Sequence, residues 1–161
     1  MGTFSLVPQV ADAVSLPVVA AGGIADARGV VAAFALGAEG VQIGTAFLAC
    51  MESGASELHR WAILSGKAGR TGLTRGFTGR LARGIHNQLL EELNQPEVEV
   101  LPYPLQRLLM KSLALPAQKA GNAELLALWA GQSSNLSHCE NVAALFQWLV
   151  TGVQAKFAEE R

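Results

Sequence analysis

Residues 17–23, PVVAAGG, and residues 40–45, GVQIGT, decide the fold. The first is a continuous apolar run stopped by Gly22-Gly23, as expected of a parallel strand covered on both faces. The second is a short strand, Gly40 to Ile43, closed by Gly44-Thr45. Between them Asp26 is placed to cap a helix whose inner stripe is Val30, Val31, Phe34 and Ala35, and Gly37 is a natural helix terminator. Upstream, Leu6, Val7, Val10 and Val14 stand at helical spacing, which predicts a short helix ahead of the first strand. Downstream, Ala46 to Met51 returns to a helical pattern. Strands alternating with helices at this spacing imply an α/β fold with a parallel sheet. A complete (β/α)₈ barrel needs eight such strands and about 250 residues. This chain of 161 residues offers two.

The rest of the chain carries weaker signals. Residues 66–84, GKAGRTGLTRGFTGRLARG, read as an irregular loop with a short strand near Leu73. Ile85 to Leu93 reads as a helix, and Pro96, Pro102 and Pro104 punctuate a loop. Leu105 to Leu115 is an amphipathic helix that Pro116 should end. A helix is expected from Ala123 to Trp129, then the polar turn Gly131-Gln132-Ser133-Ser134-Asn135. Asn141 to Phe157 should form a terminal helix with Val142, Leu145, Phe146, Leu149 and Val153 inward. There is no internal repeat and no low-complexity tract.

Composition narrows the function classes. Half the residues are hydrophobic and 16% are charged, with a net charge of −1, which gives no reason to expect nucleic acid or an anionic membrane as partner. No stretch approaches the roughly 20 apolar residues of a membrane span. The start, MGTFSLVPQVADAV, has no basic segment before its apolar run, so no signal peptide is expected and the cytoplasm is the expected compartment. Cys50 and Cys139 are far apart and are expected to be free buried thiols. The histidines do not accompany them at ligand spacing, so no metal site is expected.

The most informative feature is a pairing of strand ends. In parallel α/β architecture Ala21-Gly22-Gly23-Ile24 and Gln42-Ile43-Gly44-Thr45 lie at the same, C-terminal end of the sheet, where ligands bind. Glycines there let backbone N–H groups approach an anion without a Cβ in the way. The following helix N-termini add partial positive charge, and Thr45 adds a hydroxyl. A lone Gly-Gly after a strand is more often a tight turn. Two adjacent glycine-bearing ends favour a phosphate. Neither end matches a dinucleotide GxGxxG or a Walker loop, so a mononucleotide phosphate fits better.

These residues carry a family resemblance. Leu6 to Ser53 closely resembles the last barrel units of the nitronate monooxygenase family, formerly 2-nitropropane dioxygenases. The likeness continues in Thr78-Gly79-Arg80-Leu81-Ala82-Arg83-Gly84 and in Leu128-Trp129-Ala130-Gly131-Gln132. The strand-end segment is shared with a wider group of FMN barrels that includes a flavin-dependent enoyl-ACP reductase, and Leu128–Gln132 favours the nitronate monooxygenases within it. The resemblance implies a partial TIM barrel over residues 1–66, followed by a loop and mainly helical region, 67–161, packing on it. It implies FMN, with Gly22, Gly23, Gly44 and Thr45 on its phosphate and with Ala21 and Gln42 lining the site. Gln42 could also be a plain strand-end hydrogen-bonder. Gln132 and Ser133 either approach the flavin or substrate or form a structural turn. The implied chemistry is oxidation of an alkyl nitronate by O₂. Relatives that act on neutral nitroalkanes use a histidine base from an earlier barrel unit, for which no counterpart is read here, so no catalytic residue is assigned.

Other reactive side chains have ordinary explanations. His59, His86 and His138 do not fall at strand ends and are expected to be structural or at the surface. Arg75, Arg80 and Arg83 are expected to be solvated loop charges or carboxylate partners. Trp61, Trp129 and Trp148 are expected in the core. Three functions stand open: an incomplete C-terminal portion of a nitronate monooxygenase, a phosphate-binding remnant without turnover, and an enoyl-ACP reductase-like enzyme. The expected partners are a nitronate or nitroalkane with O₂, together with either the remaining barrel segment or a second copy.

Overall fold

Two parallel strands, β1 (Val19–Ala21) and β2 (Gly40–Gln42), pair in register, with Val19 opposite Gly40, Ala20 opposite Val41 and Ala21 opposite Gln42. They are seen in a computed structural model that describes residues 1–138 and 141–159. The fold is α/β, and the described chain divides into two compact units, 1–54 with 136–161, and 55–135. The sequence reading divided it by barrel units at 66/67, so the terminal helix is grouped differently.

In the first unit the chain runs α1 (Thr3–Ala13), β1, α2 (Ala27–Ala35), β2 and α3 (Thr45–Leu48), then returns with α7 (Val142–Glu159). Local chemistry sets the boundaries. The Asp26 side chain accepts from Gly29 N at 3.2 Å and opens α2. Gly37, at φ +93°, ends it. A Cβ there would lie 2.9 Å from the Ala11 Cβ, so the same glycine lets α1 close on the turn. Val7, Ala20, Val30, Ala33, Leu145 and Leu149 are buried together, each large aliphatic contributing roughly 1.5–3 kcal/mol. At the start of α7, Asn141 Oδ1 accepts from Ala144 N at 2.7 Å, and the Glu52 carboxylate accepts from Val142 N at 3.1 Å.

Several expectations need correction here. The sheet is covered on one face only: Ala20 is buried, whereas Val19 is 59% exposed and Ala21 and Gln42 are open. In α2 the buried positions are Val30 and Ala33, while Ala35 faces out. In α7, Leu145 and Leu149 point inward as expected, but Val142 and Phe146 do not, and Phe146 is 60% exposed. This helix is apolar around most of its circumference, so its sequence does not mark a single inner stripe.

The second unit contains α4 (Glu57–Leu64), α5 (Gln88–Leu93), α6 (Leu105–Lys119) and an antiparallel pair, β3 (Thr71–Thr74) with β4 (Ala82–Ile85). The strand near Leu73 was expected. Its partner was not, and Ile85 belongs to that strand rather than to the helix, which Asn87 starts by accepting from Leu90 N. The region after residue 66 is therefore not simply loop and helix. α6 runs through Pro116 instead of stopping there. A proline inside a helix costs about 3 kcal/mol, and burial of Ala117 beyond it and of Gln106 at the other end holds the helix together. The expected helix over Ala123–Trp129 is a 3₁₀ turn, Ala123–Leu125, followed by extended chain that bridges Gly84 through Trp129. None of the three tryptophans is a core residue: Trp61 is 52% exposed, and Trp129 and Trp148 are also open to solvent. Cys50 is a buried thiol, as expected. Cys139 lies outside the described residues. Among the described residues no helix is long and apolar enough to cross a membrane.

Candidate functional site

The in-register pairing of Ala21 with Gln42 fixes where the two glycine tips lie: at the same edge of one parallel pair, on neighbouring strands. Gly22 and Gly23 leave β1 at φ +100° and +74°, a conformation that glycine adopts without strain. Thr3 braces this tip, its hydroxyl lying 2.8 Å from Gly22 O and 3.2 Å from Ala21 O. Sequence reasoning missed Thr3, because the bond links positions 18 and 19 residues apart and leaves no local signature. On the other tip Gly44 has ordinary helical angles, φ −99° and ψ −74°, and a Cβ added there would meet nothing within 4 Å. Gly44 is therefore not required by its backbone, and space stands where its side chain would be.

Asp26 is the acid nearest these tips in sequence, and its carboxylate is engaged. It accepts from Gly29 N, and Arg28 Nε donates to Oδ2 at 2.9 Å. The Arg28 hydrogen bond, opposed by burial, holds the Asp26 carboxyl below the usual carboxylate range. This corrects one part of the electrostatic expectation. The N-terminus of α2 already faces its own carboxylate, so helix polarity there has an internal anion to stabilise. The polar groups carried by the two tips are main-chain amides, at Gly22, Gly23, Gly44 and Thr45, and the Thr45 hydroxyl. Main-chain amides at glycine-bearing strand ends are the kind of group that holds a phosphate. An apolar groove of about 300 Å³, lined by Phe34, Val41, Ile43, Phe47, Phe146 and Val153 among others, carries no charged group and cannot pair one.

Six of the expected site residues, Ala21, Gly22, Gly23, Gln42, Gly44 and Thr45, thus come together in the first unit. Gln42 shares the open sheet face with Ala21. Gln132 and Ser133 belong to the second unit, in the turn that follows the Gly84–Trp129 bridge, with Gln132 exposed and Ser133 half-buried.

The histidines have structural partners, whereas Arg80 and Arg83 engage a tyrosine ring and a threonine rather than carboxylates. His59 is buried, and its Nε2 lies 2.7 Å from the Trp129 carbonyl. His86 Nδ1 is 2.9 Å from Glu91 Oε1, and His138 meets the Trp148 ring edge-on. Arg80 lies over the Tyr103 ring at 4.2 Å, and Arg83 donates to Thr71 O and Oγ1. Burial lowers the His59 pKa from 6.5, with the Trp129 hydrogen bond opposing. The unfolded chain therefore binds this proton more readily than the folded one. Stability from His59 is complete above pH 6.5 and is lost as pH falls below that value through the lower folded-state pKa. Urea unfolding across this range should show the loss in wild type, and a His59→Gln variant should show a flatter profile.

The sequence model of the nitronate monooxygenases, described as "Nitronate monooxygenase", matches residues 1–152. The chain belongs to the nitronate monooxygenase family. A "probable nitronate monooxygenase" of Staphylococcus aureus (strain Newman) is 52% identical over 137 residues, which are 85% of this chain and 39% of that protein. Among solved structures, the nitroalkane oxidase from Streptomyces ansochromogenes superposes on all of this chain and 46% of its own, with a TM-score of 0.92 and 40% identity. FabK from Thermotoga maritima also covers the whole chain, and 51% of its own, at a TM-score of 0.82 and 32% identity. This family member spans about two fifths of the length of the curated relatives it matches.

Proposed function

We propose that this chain supplies the FMN-phosphate grip of a nitronate monooxygenase, within the last βα units of a partial TIM barrel. The observation that carries this is the register of β1 and β2, which sets two glycine tips beside each other at one sheet edge. Gly22, Gly23, Gly44 and Thr45 hold the phosphate through main-chain amides and the Thr45 hydroxyl. Ala21 and Gln42 line the approach from the open face of the sheet. Gln132 and Ser133 reach the flavin or the substrate. When bound, FMN supplies the redox chemistry, oxidation of an alkyl nitronate by O₂. The protein's share in these residues is to fix the cofactor by its phosphate and so orient the ring. No residue of the chain is assigned as a proton acceptor.

The open face, with Val19, Ala21 and Gln42 exposed, is the one a barrel turns inward, and further βα units, of this or another copy, are its natural cover. The same observation favours a second reading, in which the 161 residues alone are a phosphate-binding remnant without turnover. Purified by itself, the chain is expected to bind FMN weakly and to consume no oxygen with an alkyl nitronate. An oxygen electrode and a flavin absorbance titration check this. A stoichiometric flavin spectrum with turnover would show that these residues suffice.

A further inference from the structure

We propose that His59 is the positioning residue of the Gly131-Gln132-Ser133 turn, acting through the Trp129 carbonyl; this rests on the reading of Gln132 and Ser133 as flavin- or substrate-facing. The segment Leu128–Ala130 lies along β4 by two main-chain bonds. Ile85 N donates to Leu128 O at 2.7 Å, and Ala130 N donates to Arg83 O at 3.4 Å. In an antiparallel bridge of this kind the central pair, here Gly84 and Trp129, directs its own N–H and C=O away from each other. The Trp129 carbonyl therefore points to the side opposite β4. His59 is the group that meets it there, at 2.7 Å.

A carbonyl oxygen only accepts, so Nε2 carries the proton, and the neutral ring is fixed in that tautomer. His59 is 8% exposed and sits on α4, a regular helix capped by Ser56. The donor thus stands on a rigid element. Other restraints act beside it. The last ladder bond, Ala130 to Arg83, is long. Ser134 Oγ lies 2.7 Å from Ala68 O and 2.8 Å from Gly131 O, and its one proton is divided between them. The Phe77 ring meets Trp129 edge-on at 5.1 Å, which fixes the side chain but not the carbonyl. The bond from His59 is undivided and fixes the Trp129 carbonyl, two residues before Gly131.

Backbone ¹⁵N order parameters on the 161-residue chain test this, in wild type, His59→Leu and His59→Gln. Leucine fills the buried volume without a donor, and the glutamine amide restores one. For Gly131, Gln132 and Ser133 the order parameter is expected to fall from about 0.85 to below about 0.6 in the leucine variant and to recover in the glutamine variant. Leu90, in the core of the same unit, should not change in either. An unchanged turn in His59→Leu, an equal loss at Leu90, or no recovery with glutamine would each overturn the proposal. FMN added to wild type tests the underlying reading separately. If the Gln132 and Ser133 resonances do not move, the turn is not a flavin contact, and the order parameters still decide whether His59 positions it.

Discussion

Gly79→Ala is expected to lower the melting temperature by about 10 °C, the largest stability effect foreseen for a single methyl group in this chain. Gly79 sits at φ +90°, and an added Cβ would come within 2.5 Å of Leu101 O and of Tyr103 N, and 2.8 Å from Pro102 C. All three are main-chain atoms, so no side-chain rotation relieves the overlap. Backbone strain of about 1–3 kcal/mol adds to an overpacking cost of similar size, and for a domain of this length each kcal/mol shifts the midpoint by roughly 2–4 °C. Thermal unfolding followed by far-UV circular dichroism reads the effect directly. A shift under about 2 °C would mean that the 101–103 segment is not packed on Gly79.

That prediction changes the meaning of a motif. In sequence, Thr78-Gly79-Arg80-Leu81-Ala82-Arg83-Gly84 is a segment shared with the family, and its arginines read as solvated loop charges or carboxylate partners. In structure its polar side chains are engaged within the second unit. Thr78 Oγ1 accepts from Arg80 N, Arg80 lies over Tyr103, and Arg83 reaches back to Thr71. Gly84 leaves room for the Phe77 ring and the Leu128 carbonyl, which a Cβ would meet at 2.6 and 2.8 Å.

Gly44→Asp should have the largest effect on ligand binding, with little effect on stability. The φ is negative and the space is open, so a side chain is accommodated there. The fold should be kept. A carboxylate a few ångströms from a phosphate dianion, at a partly screened surface, costs on the order of 3 kcal/mol, or roughly a hundredfold in Kd. Gly44→Asn adds nearly the same volume without the charge and should lose far less. Flavin fluorescence titration at low salt compares the three proteins. Equal affinities for the aspartate and asparagine variants would remove the anion from this tip.

The first unit was legible because its signals are local. Asp26 and Gly37 bracket α2 within a dozen residues, and PVVAAGG and GVQIGT each end in the residues that stop them. The second unit was not, because buried polar side chains hold it across long separations. Gln106 donates to Gly76 O 30 residues away, Asn87 to Leu126 O 39 away, and Ser134 lies on Ala68 O 66 away. Such bonds leave no periodicity to read. β3 and β4 are four residues each, with a glycine inside both, so alternation never builds. Trp129 looked like the end of a helix and is instead the centre of a bridge. At the candidate site the glycines were readable and their brace, Thr3, was not.

The account rests on two strand tips gripping one phosphate, and an amide-resolved titration of the ¹⁵N-labelled chain tests that most directly. With FMN, the Gly22, Gly23, Gly44 and Thr45 resonances should move together along a single binding curve, and with riboflavin, which lacks the phosphate, they should stay in place. Movement of one tip without the other, or equal shifts with riboflavin, would contradict it.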